Sequence, residues 1–254
     1  MKYISLGSGS RGNATLILEQ DRGVLIDCGF NRKTVLQRLQ DSGTDPRQLE
    51  AIFVTHEHSD HANGVKALAE ALAIPFYSSF GTARKMGWVE HELWRCVEAD
   101  RSVSVGHLNI QPVVVPHDAE EPFQYVLENS ARKRLGVLSD LGSLTPHILD
   151  NYSFCHALQL EANHDPVMLQ NGPYPPSLRA RVAGSFGHLS NNQCAQLIAG
   201  VQWHGLMSVT AGHISEKNNS VELVCTELSQ VLDCTPSQVK ILEQNQISSW
   251  LELA

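Results

Sequence analysis

Four side chains of metal-ligand type fall within six positions, His56-x-His58-x-Asp60-His61, directly after an apolar stretch, Ala51-Ile-Phe-Val-Thr55. A short apolar run rich in β-branched and aromatic residues reads as a buried strand. The loop leaving such a strand is held rigidly enough to place ligands accurately. Imidazole and carboxylate together suit zinc, manganese or iron and disfavour calcium. Donors this close in sequence cannot all reach one small ion. Divided as His56/His58 and Asp60/His61, they imply two adjacent ions roughly 3.5–4 Å apart, the spacing of hydrolytic two-metal sites. Such a pair needs more donors, which must come from other strand ends converging on the same edge. His117 follows Gln111–Pro116, Asp140 follows Leu135–Ser139, and His213 follows Leu206–Thr210. An ionised Asp140 is acceptor-only and could bridge both ions.

The rest of the chain reads as one domain over residues 1–254, without repeats or linkers. Apolar residues make up 42% and charged residues 18%, which excludes disorder. Extended segments are expected at Tyr3–Gly7, Ala14–Glu19 and Val24–Cys28, then a helix over Arg32–Gln40. After the strand at Ala51–Thr55 come a helix over Ala62–Ala73 and a strand at Pro75–Ser78. Further strands are expected at Ser102–Val105, Leu108–Val115, Tyr125–Glu128, Leu135–Ser139, Ala157–Leu160 and Leu206–Thr210. Helices follow over Asn192–Ala199 and Val221–Leu232, and two extended pieces close the chain. Strands alternating with helices, together with long antiparallel stretches, point to a layered α/β fold with mixed sheets.

No apolar run is long enough to span a membrane. The opening MKYISLGSGS lacks the apolar core of a secretory signal. Six cysteines lie scattered without a C-x-x-C spacing, which fits reduced thiols, so a cytoplasmic location is expected. The formal charge of -8 repels polyanions, so any nucleic-acid contact must rest on a local patch or on bound metal.

Gly7-x-Gly9-x-x-Gly12 has the spacing of a dinucleotide-binding loop, which must open a helix. Here Asn13–Glu19 is β-like, and the next strand is too near for a βαβ crossover. Ser8 and Ser10 therefore sit either in a tight turn or in an anion-binding nest. Ser190 or Asn191 could cap the helix that follows them, beside His188, and helix N-termini attract phosphate. Glu161, Asn163 and His164 follow a strand and form either a turn or outer support for metal-bound imidazoles. Arg179 and Arg181 read as a solvated face. No G-x-S-x-G elbow supports serine catalysis. Cys28 reads as structural.

Taken together, these segments resemble the metallo-β-lactamase superfamily, and within it the WalJ/YycJ-like nuclease subfamily. The resemblance rests on Gly7–Asn13, Thr55–His61, His117-Asp-Ala-x-x-Pro122, Ser139-Asp-Leu-Gly142, Leu160–Asp165, Gly187–Asn191 and His213-Ile-Ser-x-x-Asn-Asn219. One departure is Ser139, where threonine is expected; the hydroxyl is kept. The resemblance implies a four-layer αββα sandwich with two mixed β-sheets and the site at one edge. It implies His56, His58, His117 and Asp140 around one divalent ion, Zn²⁺ or Mn²⁺ with Fe²⁺ also possible. Asp60, His61, Asp140 and His213 surround the other. It further implies phosphodiester hydrolysis with Asp60 and Asp140 catalytic and His188 as phosphate ligand or general acid. DNA is the implied substrate, degraded by an exonuclease in the 5′-to-3′ direction. The same ligands would also serve a small-molecule cyclic phosphodiesterase or a thioester or lactone hydrolase. A metal-binding protein with a degenerate site is the reading outside enzymes.

Overall fold

The computed structural model of the chain describes residues 1–253, and its strands form two seven-stranded sheets. The first begins with β1 (Lys2–Gly7), β2 (Ala14–Glu19) and β3 (Arg22–Ile26), paired antiparallel. To these β4 (Leu49–Phe53), β5 (Phe76–Ser78) and β6 (Trp94–Cys96) add in parallel. The second begins with β7 (Val103–Val105), β8 (Leu108–Val114), β9 (Phe123–Asn129) and β10 (Arg134–Leu138), again antiparallel. It continues in parallel through β11 (Ala157–Glu161), β12 (Ser208–Gly212) and β13 (Lys240–Ile241). A last strand, β14 (Leu251–Glu252), returns to the first sheet beside β1.

The helices of the first half are α1 (Arg32–Asp41), α2 (Ser59–Ala62), α3 (Val65–Leu72) and α4 (Phe80–Met86). Those of the second are α5 (Pro146–Tyr152), α6 (Pro166–Asn171), α7 (Pro176–Val182), α8 (Asn191–Val201) and α9 (Val221–Val231). Strand alternation sorts the core into layers. Val24 and Ile26 meet Ile110, Tyr125 and Val137 between the two sheets. Leu25, pointing the other way, packs under Val35 and Leu39 of α1 and Leu68 of α3. On the far side Leu158 and Leu160 lie under Ile148, Leu197 and Leu228 of α5, α8 and α9. The layering is helix, sheet, sheet, helix. With both faces buried, the strands carry continuous apolar runs.

The expected helix over Ala62–Ala73 is broken at Asn63–Gly64 into α2 and α3. The Gly64 amide donates to the Cys28 carbonyl at 2.7 Å, and a Cβ there would lie 1.9 Å from the Phe30 oxygen. The chain must pass too close for the helix to continue. The strand expected at Leu206–Thr210 runs two residues later, as β12. Gly29 is as tight as Gly64: a Cβ would fall 1.7 Å from the Asp60 carbonyl oxygen. Gly29→Ala is therefore expected to lower the melting temperature markedly, since overpacking costs ~1–3 kcal/mol or more. Thermal unfolding reads this directly, and an unchanged midpoint contradicts it.

Candidate metal centre

Parallel strands end on a common edge, and the residues that leave them meet there. His56 and His58 follow β4, Asp60 and His61 lie in α2, His117 follows β8, Asp140 follows β10 and His213 follows β12. Asp140 Oδ2 is 3.2 Å from His56 Nε2, 2.9 Å from His61 Nε2 and 3.8 Å from His117 Nε2. His58 Nδ1 lies 3.0 Å from His56 Nε2 and 3.3 Å from His117 Nε2. Asp60 Oδ2 is 3.4 Å from Nε2 of both His61 and His213. The donors thus form one group of His56, His58, His117 and Asp140 and a second of Asp60, His61 and His213, each with ligand atoms within 4.8 Å of one another. Asp140 faces both.

The remote ring nitrogens are fixed from outside. His61 Nδ1 lies 2.7 Å from Asp27 Oδ2, and His117 Nδ1 lies 2.9 Å from the Gly187 carbonyl. His213 Nδ1 is 3.1 Å from the Ser139 carbonyl, and His56 Nδ1 is 2.9 Å from the Thr55 hydroxyl. That hydroxyl donates in turn to Asp27. An acceptor at Nδ1 holds the proton there and turns the Nε2 lone pair inward, as metal-ligating imidazoles require. Asp27 and His213 both hold left-handed backbone, φ 61° and 51°. Such strain persists only where surroundings enforce it, and here it turns two strand-end side chains into the centre.

The donor set fits divalent cations. Asp140 is 1% exposed, and its Oδ1 accepts no hydrogen bond, although His213 Nδ1 is pressed against it. A buried carboxylate without its bonds needs a counter-cation. Burial drives His56 and His117 down to a pKa of about 4, leaving neutral rings with lone pairs to give. Burial opposes charge on His61 and His213 as well, but Asp140 and the neighbouring carboxylates outweigh it and raise both. That side of the site is short of positive charge.

Above the centre lies a pocket of about 340 Å³, whose lining includes Ser10, Asn163 and His188. His188 is 20% exposed; its Nδ1 is 2.7 Å from Glu161 Oε1 and 3.4 Å from Asp140 Oδ1. Glu161 Oε2 also accepts from the amides of Leu141 and Leu189, so one carboxylate ties the ends of β10 and β11 to the loop before α8. Asn163 donates to the His213 carbonyl at 2.9 Å. Ser8 is buried under the site and accepts from the His213 amide. The amides of Ser8, Gly9, Arg11 and Gly12 already have protein acceptors, so this loop is a clamped turn rather than an open nest. Ser190 caps α8 in a capping box with Gln193, and Asn191 pairs with Asn219. His164 faces a separate cavity beside α6 and α7. The last three stand outside the catalytic pocket.

A family model described as the beta-lactamase superfamily domain matches residues 22–210, from β3 into β12. The chain belongs to the beta-lactamase superfamily. Among curated relatives, exodeoxyribonuclease WalJ of Streptococcus pneumoniae is 30% identical over 228 residues, covering 87% of this chain and 84% of its own. Exodeoxyribonuclease YycJ of Bacillus anthracis is 30% identical over 240 residues, 92% and 89% of the two chains. The metallo-beta-lactamase fold protein YhfI from Bacillus subtilis superposes with a TM-score of 0.74 at 14% identity, over 97% of this chain and 98% of its own. The two mixed sheets flanked by helices are accordingly the metallo-β-lactamase fold, and the chain is a metal-dependent hydrolase of that superfamily.

Asp27 has no place in the motif reading of the sequence, and Asn13 enters it only as the last residue of Gly7–Asn13, with no role of its own. Asp27 follows the apolar run Val24-Leu-Ile26, the same signal that marks Asp140, and could have been found by it. Asn13 donates to the Asp60 carbonyl at 3.3 Å and lies 3.1 Å from His61 Nε2.

Proposed function

We propose that residues 1–254 act as one hydrolase domain, a dinuclear phosphodiesterase that degrades DNA as an exonuclease, 5′ to 3′, in a reducing cytoplasmic setting. The observation that carries this is Asp140, buried between two histidine groups and facing both. The exonuclease names of the two relatives support DNA as substrate. In this reading His56, His58, His117 and Asp140 hold one ion, and Asp60, His61, Asp140 and His213 the other. Bound zinc or manganese, with iron(II) as a third option, would supply neutralising charge to phosphoryl oxygens and acidify water. Asp60 and Asp140 accept hydrogen bonds from the attacking water and orient it. With His188 Nδ1 engaged by Glu161, its Nε2 is left to protonate the leaving oxygen. Burial opposes charge on His188, yet Glu161 and Asp140 push its pKa up to about 10, which keeps that proton in place.

The modest pocket volume, about 340 Å³, favours one second reading, hydrolysis of a small cyclic phosphodiester. Both readings predict that a chelator abolishes activity and that Mn²⁺ or Zn²⁺ restores it. They part on DNA labelled at either end, single- or double-stranded. Stepwise release of mononucleotides from the 5′ end supports the exonuclease. Release from the 3′ end overturns the direction, and inertness toward all DNA with turnover of cyclic nucleotides overturns the substrate.

A further inference from the structure

We propose that Tyr174, Leu178 and Arg181 form a nucleotide-reading wall of the catalytic pocket, in which Arg181 clamps a phosphate and Tyr174 stacks the adjoining unpaired base. This rests on the phosphodiesterase reading above. All three residues line the pocket over the metal centre, together with Val182. Leu178, Arg181 and Val182 share one face of α7, and Tyr174 stands two residues before the helix begins. The opposite stripe, Arg179, Ala180 and Ala183, lines the neighbouring cavity. Within α7 only Val182 is buried, so the stripe is not a core face.

The chemistry of the stripe differs from that of the pocket floor. Asp60, Asp118 and Asp140 line the pocket, and Arg181 is its one lysine or arginine. Arg181 Nε donates to Asp118 Oδ2. Among the described residues no acceptor takes its Nη groups, so the guanidinium is oriented by one edge and free at the other. Asp118 Oδ1 in turn lies 3.4 Å from His117 Nε2 and 3.8 Å from His58 Nε2, which ties the arginine to the metal centre. An exposed ion pair of this sort adds little to stability. What it supplies is a fixed cation at the mouth of an acidic site, in the fork geometry that suits phosphate. Tyr174 is the one Phe, Trp or Tyr in the lining, half-buried in the segment that leads into α7. An aromatic face beside a guanidinium is how proteins hold single-stranded nucleotides without reading sequence. A simple ester or thioester would use neither group. A pocket of about 340 Å³ admits one nucleotide and not a duplex, so the seated nucleotide is unpaired.

The test compares two single-stranded DNA oligonucleotides, one with a normal terminal nucleotide and one with a tetrahydrofuran abasic residue in its place. Wild-type protein should prefer the base-bearing end in kcat/KM by roughly tenfold or more, the size of one base–aromatic stack. Tyr174→Ala should erase that preference, whereas Tyr174→Trp and Tyr174→Phe keep it. Arg181→Gln should flatten the salt dependence of kcat/KM by about one phosphate contact, and Arg181→Lys should retain most of the slope. A wild-type enzyme that degrades DNA but ignores the missing base overturns the wall and leaves the nuclease standing. So does a base preference that survives Tyr174→Ala. A wild-type protein that cleaves no nucleic acid overturns both.

Discussion

Asp140→Ala is expected to reduce hydrolysis of bis(p-nitrophenyl) phosphate by on the order of 10³-fold or more and to take bound metal from about two ions per chain to below one. Its Oδ2 is the one carboxylate oxygen within reach of Nε2 in both histidine groups, at 3.2 Å from His56 and 2.9 Å from His61. Alanine removes the shared donor and, with it, the negative charge that raises His61 and His213. The fold should survive. The Asp140 carbonyl is held by Gln124 Nε2 at 3.2 Å, and the Ser139 amide by Gln124 Oε1 at 3.0 Å, neither through the carboxylate. Circular dichroism should therefore be unchanged while metal analysis and turnover collapse together. Full metal content with full activity in the alanine variant would falsify the shared-ligand assignment.

The second large effect is expected at Asp27, which touches no pocket. Its carboxylate faces His61 Nδ1 at 2.7 Å and accepts from the Thr55 amide at 2.8 Å and the Thr55 hydroxyl at 2.9 Å. Asp27→Asn keeps an oxygen for Thr55 but offers an N–H to His61 Nδ1, which already carries a proton if Nε2 is to bind metal. The ring must change tautomer or turn. Loss of such an outer partner weakens metal binding by roughly 10–100-fold. Competition with a chromophoric chelator measures this, and an Asn variant with wild-type affinity contradicts it. Asp27→Ala should do more, since the buried Thr55 amide loses its acceptor at a cost of ~1–3 kcal/mol.

The site was legible in the sequence to the extent that its donors obey one rule. Apolar strands in a two-sheet core end on a common edge, so a histidine or aspartate just past such a strand is aimed at that edge. His56, His117, Asp140 and His213 all follow it. Asp27 follows it too, but it falls inside the extended segment expected at Val24–Cys28, and its partner His61 lies 34 positions away. The short helices were not legible, because six or seven residues show no full amphipathic period. Their starts were still marked: Pro166 follows Asp165, whose side chain caps Met168, and α7 begins at Pro176. That gap also hid the division of the two arginines. Read as a strip, Arg179 and Arg181 share a solvated face. On a helix, residues two apart point in nearly opposite directions, and only Arg181 reaches the catalytic pocket.

Diffraction from crystals grown with Mn²⁺ or Zn²⁺, collected on both sides of the metal absorption edge, addresses the two-ion centre without reference to substrate. Two anomalous peaks roughly 3.5–4 Å apart, with Asp140 between them and His213 on the second, are the expected result. One peak alone, or Asp140 or His213 turned away from the metal, would contradict it.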